Sequence, residues 1–137
     1  MLQGVRKQNR KFKFTKLVRD NIVEGIIKAG NTANWRTLSN EEYIDELKKK
    51  VIEEAQEIPS AHNKDLVNEL ADIQEIIDNI LVALKVTKKE FENIQKKKND
   101  KAGSFKNKQY IEDVEVKQDS EWVKYYLAAP DKYPEIK

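Results

Sequence analysis

The sequence predicts an all-α protein, an antiparallel helical bundle with a four-helix core, oligomeric and carrying an irregular C-terminal extension. Three observations lead there. Only 4 Gly and 3 Pro interrupt 137 residues, of which 36% are charged and 39% hydrophobic. Apolar residues recur at three- and four-residue spacing through the middle of the chain, the period of a helix with one buried stripe. Capping-box spacings, Ser39 with Glu42 and Thr87 with Glu90, stand just before two of those stretches.

Taken in order, residues 1–14 form a basic lead-in with few periodic apolar positions, a solvated arm by default and a nucleic-acid contact as the alternative. A first helix is predicted over Leu17 to Ala29, with Val18, Ile22 and Ile26 on one face and Gly30 as its stop. Ser39 opens a second, which runs to about Ile58 and ends at Pro59. The third begins at Asn63 to Asp65 and continues through Leu84, and is the longest and most apolar. A fourth starts after Val86 and dissolves into Lys96 to Lys101; Gly103 breaks it. Phe105 to Val116 reads as irregular or as short strands, and Ser120 to Ala128 as a short terminal helix stopped by Pro130. The domain division is 1–14, a helical domain over 15–111, and an extension over 112–137, packed on the domain or on a partner subunit.

One domain is what this length supports. A formal net charge of +2 is too small to imply nucleic-acid binding. No cysteine is present, which excludes disulfides and thiolate metal sites. The longest apolar run, Ile80 to Leu84, is far too short to span a bilayer, and the basic start leads into no signal-like apolar region. No membrane partner is expected, and the cytoplasm is the default location.

The chemistry-bearing feature is a pair of acidic motifs, Glu54 with Glu57 and Glu69 with Asp72, on the second and third helices. At about 100° per residue, Glu54 falls about 60° from the centre of its helix's stripe and Glu69 about 40° from the centre of its own, with Glu57 and Asp72 further out on the same sides. The short connection around Pro59 to Lys64 favours antiparallel packing, which lets the four groups converge. Converging anions repel and resist desolvation unless cations neutralise them. Carboxylate oxygens suit magnesium, or manganese in its place, and magnesium commonly bridges carboxylates to phosphates. Salt bridging with the abundant lysines is the plainer account of the same residues.

The order Lys16-Leu-Val-Arg19-Asp20, Tyr43, Glu53-Glu54-Ala-Gln-Glu57, Glu69-Leu-Ala-Asp72 and Lys98 to Phe105 resembles the MazG-type all-α nucleoside triphosphate pyrophosphohydrolases. Within them it is similar to the small phosphoribosyl-ATP pyrophosphohydrolase-like branch, over about Lys16 to Ile111. The resemblance implies hydrolysis between the α and β phosphates of a nucleotide, giving a nucleoside monophosphate and pyrophosphate, with nucleotide-pool house-cleaning as one role. It implies magnesium on Glu54, Glu57, Glu69 and Asp72, and a homo-oligomer, dimer or tetramer. Lys16, Arg19 and Lys108 become phosphate or substrate contacts. Read from the residues themselves, Lys101 in the lysine-rich stretch is a further phosphate candidate, and Asn79, on the same flank of its helix as Asp72, and Trp35 are candidates for base or sugar contact. Asn21 and Val23 stand where relatives commonly carry Lys and Pro, and Lys108 where an Arg is usual; a lysine meets phosphate as a point charge without a bidentate fork.

No catalytic base is assigned. Glu53 is the one candidate, and helical geometry points it away from the cluster. Lys16 and Arg19 equally suit ion pairs, Trp35 core packing, Asn79 a surface amide, and the lysines near 96–101 a helix C-terminus. Three further functions stay open: a non-catalytic helical interaction module, a phosphoribosyl-ATP pyrophosphohydrolase of histidine biosynthesis, and a nucleic-acid binder using the basic segments.

Overall fold

The computed structural model describes residues 8–137. Residues 1–7 of the basic lead-in lie outside the described residues; Gln8 to Phe14 carries no regular secondary structure and is exposed. Among the described residues the protein is helical and without strands: α1 (Ile22–Lys28), α2 (Asn40–Ala55), a short 3-10 turn (Ile58–Ser60), α3 (Asn63–Ala83), α4 (Lys88–Ala102) and α5 (Glu121–Leu127). No described helix is long and apolar enough to cross a membrane. The chain divides into two compact units, Met1–Gln95 and Lys96–Lys137.

In the first unit α1 starts five residues later than its periodicity suggests. Lys16 has no acceptor with which to cap a helix beginning at Leu17. The chain instead turns at Asp20 and Asn21, where the Ile22 N–H meets the Arg19 carbonyl at 3.1 Å. At the other end Gly30, at φ +81°, closes α1 with bonds from Gly30 and Asn31 back to Ile27 and Ile26. This paired closure is what a left-handed residue after a helix permits.

The capping box that opens α2 forms as its spacing implies. The Ser39 hydroxyl accepts from the Glu42 N–H at 3.2 Å and the Glu42 carboxylate accepts from the Ser39 N–H at 3.3 Å. Arg36 clamps the same carboxylate with two donors at 2.6 and 3.2 Å, and together these hold Glu42 down to about 2. α2 ends at Ala55, earlier than Ile58. Pro59 has no N–H and its ring would strike the Ala55 carbonyl in a continued helix, so the chain tightens into the 3-10 turn.

α3 ends with the same closure as α1, from Lys85 to Val82 and from Val86 to Leu81 at 3.0 and 2.9 Å, but here a lysine occupies the left-handed position at φ +59°. Thr87 and Glu90 cap α4 reciprocally at 2.9 and 3.1 Å. α4 does not dissolve near Lys96: Lys96 pairs with Asp100 one turn on at 2.8 Å, and the helix continues to Ala102 until Gly103 turns left-handed.

α2 and α3 pack together as the centre of the first unit. They are antiparallel: Tyr43 near the start of α2 meets Asn79 late in α3, whereas Glu54 near the end of α2 meets Glu69 early in α3. Among the described residues Leu47 and Ile76, 4% and 8% exposed, are the buried apolar residues, one from each helix.

Measured from those two residues at about 100° per position, the apolar positions run to one rotational side on both helices, Ile44, Val51, Ala55 and Ile52 on α2 and Ile73, Ile77, Ile80 and Leu70 on α3. In an antiparallel pair the same rotational sense opens onto the same face of the hairpin. That face leaves Ile52 and Leu70 59% and 51% exposed, with Val67 63% exposed at its edge. Tyr43, Lys50, Glu53, Glu57, Asp72 and Asn79 lie on the opposite, polar face.

The second unit contains the end of α4, an irregular stretch through Val116 and the short helix α5, capped by the Ser120 hydroxyl on the Trp122 N–H at 3.2 Å. Trp122, Tyr125, Tyr126 and Tyr133 pack edge-on, stacked or tilted with ring centres 5.0 to 6.1 Å apart.

Candidate metal centre

Near the turn of the hairpin, one carboxylate oxygen from each of Glu54, Glu57 and Glu69 lies within 4.8 Å of the others. Glu54 and Glu57 are one helical repeat apart, with Glu57 just beyond the end of α2, and Glu69 sits in the second turn of α3 facing them. Glu54 and Glu69 are half-buried because they flank the line where the two helices touch; Glu57 is exposed. The Glu69 Oε2 oxygen is buried without a hydrogen-bond donor.

The electrostatic result is a carboxyl group pushed up to about 7 at Glu69. The largest cause is a hydrogen bond with Glu54, followed by burial and by the negative charges of Glu57, Glu54 and Asp72. These facts describe one situation. The neighbour nearest Glu69 is another acceptor, so a shared proton or a bound cation would ease the repulsion between the two groups. Beside this cluster an open pocket of about 400 Å³ is lined by Glu57 and Glu69 together with Gln56, Ser60, Asp65 and Asn68. Asp65 and Asn68 sit four residues and one residue before Glu69; the acidic spacing of Asp65 with Glu69 was a signal available in the sequence.

Asp72, the fourth member of the acidic motif, turns to a different partner. Arg19 Nη2 donates to Asp72 Oδ1 at 2.7 Å. Three residues earlier, Lys16 Nζ donates to Glu53 Oε1 at 3.2 Å, and Lys50 reaches the other Glu53 oxygen at 3.5 Å. Lys16 and Arg19 thus pin the segment before α1 across the polar face of the hairpin, one contact on each helix. The hydrogen bond from Lys16, then the charges of Lys50 and Lys16, hold Glu53 below the usual carboxylate range, which lowers its strength as a base.

Asn79 is engaged within the protein. Its Oδ1 accepts from the Tyr43 hydroxyl at 3.2 Å, and its Nδ2 donates to the Glu75 carbonyl at 2.8 Å and to the Glu75 carboxylate at 3.2 Å. Partial burial, then the charges of Asp20 and Glu75, raise the Tyr43 hydroxyl above its ordinary value. Sequence reasoning named Tyr43 only as part of a motif, and a Tyr-Asn bond between helices 36 residues apart leaves no local spacing by which to find it. Trp35, 61% exposed, does not close the core beneath its loop. Lys101 and Lys108 belong to the second unit, Lys101 in the last turn of α4 and Lys108 in a left-handed turn at φ +57°.

The donor set is all carboxylate oxygen, the chemistry of a hard divalent cation such as magnesium or manganese. Histidine does not contribute: His62 is exposed at the start of α3, where it caps without a side-chain bond. Compared with protein-family models, with curated proteins and with solved structures, the chain matches none.

Proposed function

We propose that the protein is a magnesium-dependent nucleoside triphosphate pyrophosphohydrolase, which splits the α-β phosphoanhydride of a nucleotide into a nucleoside monophosphate and pyrophosphate, with cleansing of the nucleotide pool as its role. One observation carries the reading: carboxylates from two antiparallel helices meet within 4.8 Å with one oxygen buried and undonated. Such an arrangement is costly unless a cation occupies it. Glu54, Glu57 and Glu69 would hold that ion, with Asp72 one helical turn along.

Bound there, magnesium supplies neutralisation of a triphosphate tail and polarisation of the phosphoryl group. The chain contributes the rest. Arg19 offers a planar fork that matches phosphate oxygens, and Lys16 a point charge beside it. The open pocket beside Glu57 and Glu69 gives a small anion access to the cluster. Trp35 presents an exposed ring on which a base can stack.

The apolar face of the α2–α3 hairpin supports assembly. A protomer with so few buried apolar side chains cannot draw its stability from its own core alone. Joining two hairpins through this face would make a four-helix core as a symmetric dimer. The polar faces, each with its carboxylate cluster and Arg19 segment, would then point outward.

A second reading, the non-catalytic interaction module, draws on the pairs Arg19–Asp72 and Lys16–Glu53, which already match acid with base on the polar face. One experiment separates the two. Standard and modified nucleoside triphosphates are incubated with the protein, with magnesium or with chelator, and pyrophosphate is measured. Release that requires magnesium and vanishes in Glu54→Gln supports the enzyme. No release from any nucleotide supports the module.

A further inference from the structure

Arg19 and Asp72 are each needed by the proposed reaction, and the structure has them bound to each other. The contact is 2.7 Å, between an arginine outside any helix and a carboxylate on α3, 53 residues apart in sequence. Asp72 lies one helical turn beyond Glu69, yet among the described residues it is Glu54, Glu57 and Glu69 that bring their oxygens together. The fourth carboxylate is bonded to the guanidinium instead. The segment carrying it is anchored a second time at Lys16 on Glu53, and between these points it has neither helix nor strand to hold it. Both anchors are solvent-accessible, with the Arg19 and Asp72 side chains 64% and 41% exposed, so the pair is weak enough to be exchanged.

We infer that Arg19 is a latch on Asp72: it keeps that carboxylate out of the metal site until the phosphates of an incoming nucleotide take the guanidinium in exchange. The inference rests on the proposed pyrophosphohydrolase reading and adds the order of events to it. A phosphate tail offers Arg19 a doubly charged, bidentate partner in place of a single carboxylate oxygen. Asp72, once released, can turn along α3 toward Glu69. Metal and nucleotide therefore bind with positive coupling, and by linkage each tightens the other by the same factor. A nucleotide-free protein holds its metal with three carboxylates and little affinity.

The test is Mn2+ uptake by the full chain, followed by the electron paramagnetic resonance of free Mn2+, without nucleotide. Arg19→Gln is expected to tighten uptake by about two- to fivefold, the range of an exposed ion pair. Adding Asp72→Asn to Arg19→Gln is expected to erase that gain relative to Asp72→Asn alone. Loss of all uptake in Asp72→Asn alone overturns the latch, since it makes Asp72 a ligand of the nucleotide-free site that Arg19 does not withhold. Unchanged affinity in Arg19→Gln overturns the latch, as does an equal gain in both backgrounds, which is the signature of a distant charge. Those failures leave the metal reading standing. Absence of Mn2+ uptake by wild type and Arg19→Gln alike removes the metal reading and the latch together.

Discussion

Leu70→Ser tests whether the apolar face of the α2–α3 hairpin joins two copies. Leu70 stands on that face and is 51% exposed in the single chain. Full burial of a leucine is worth about 1.5–3 kcal/mol, so the half still open can contribute about 1 kcal/mol when covered. A twofold dimer covers it twice. The substitution therefore weakens association by about 2 kcal/mol, or about 30-fold in the dissociation constant. Val82→Ser is the control, because Val82 is 76% exposed but projects from α3 toward the other side. Sedimentation equilibrium over a range of protein concentrations reads both. Wild type and Val82→Ser are expected to share one dissociation constant, and Leu70→Ser to dissociate at a higher concentration. A monomeric wild type at micromolar concentration, or equal effects of the two substitutions, would refute the reasoning.

Other outcomes follow from local geometry. Ser39→Ala removes half of the α2 capping box and should cost about 1 kcal/mol in chemical denaturation; no measurable loss would mean that Arg36 and Glu42 secure the helix end without it. Lys85→Gly relieves a left-handed lysine and is expected to stabilise by about 1 kcal/mol, so a destabilised variant would show that the lysine side chain matters more than its backbone. The raised Glu69 carboxyl gives a pH signature. The folded chain holds this proton more tightly than the unfolded chain, so its contribution is complete below the ordinary carboxylate range and is lost as pH rises through about 7. In chelator, melting temperature should therefore fall between pH 5 and pH 8 by more in wild type than in Glu69→Gln, and magnesium should restore it at pH 8. Parallel pH profiles for the two proteins would contradict the account.

The helices were legible because their signals are local. Ser39 and Glu42, Thr87 and Glu90, Gly30 and Gly103 each act on neighbours within one turn, and the structure puts helix ends at all of them. The errors came where a boundary depends on distant partners or on one steric clash. The start of α1 is displaced by a segment tied to α2 and α3, and α2 stops short because of the Pro59 ring. Helical spacing alone brought Glu54, Glu57 and Glu69 to one side of a hairpin, where they meet. It could not foresee that Asp72, on the same flank, turns to Arg19, because that choice is made by a loop residue 53 positions away.

Calorimetric titration of magnesium into the protein at pH 8 bears most directly on the acidic cluster. Saturable binding is expected, with affinity falling at least about tenfold in Glu69→Gln and again as the pH is lowered to 6, where Glu69 regains its proton. Heats no larger than dilution for the wild-type chain, or equal affinity in Glu69→Gln, would contradict a metal centre between α2 and α3.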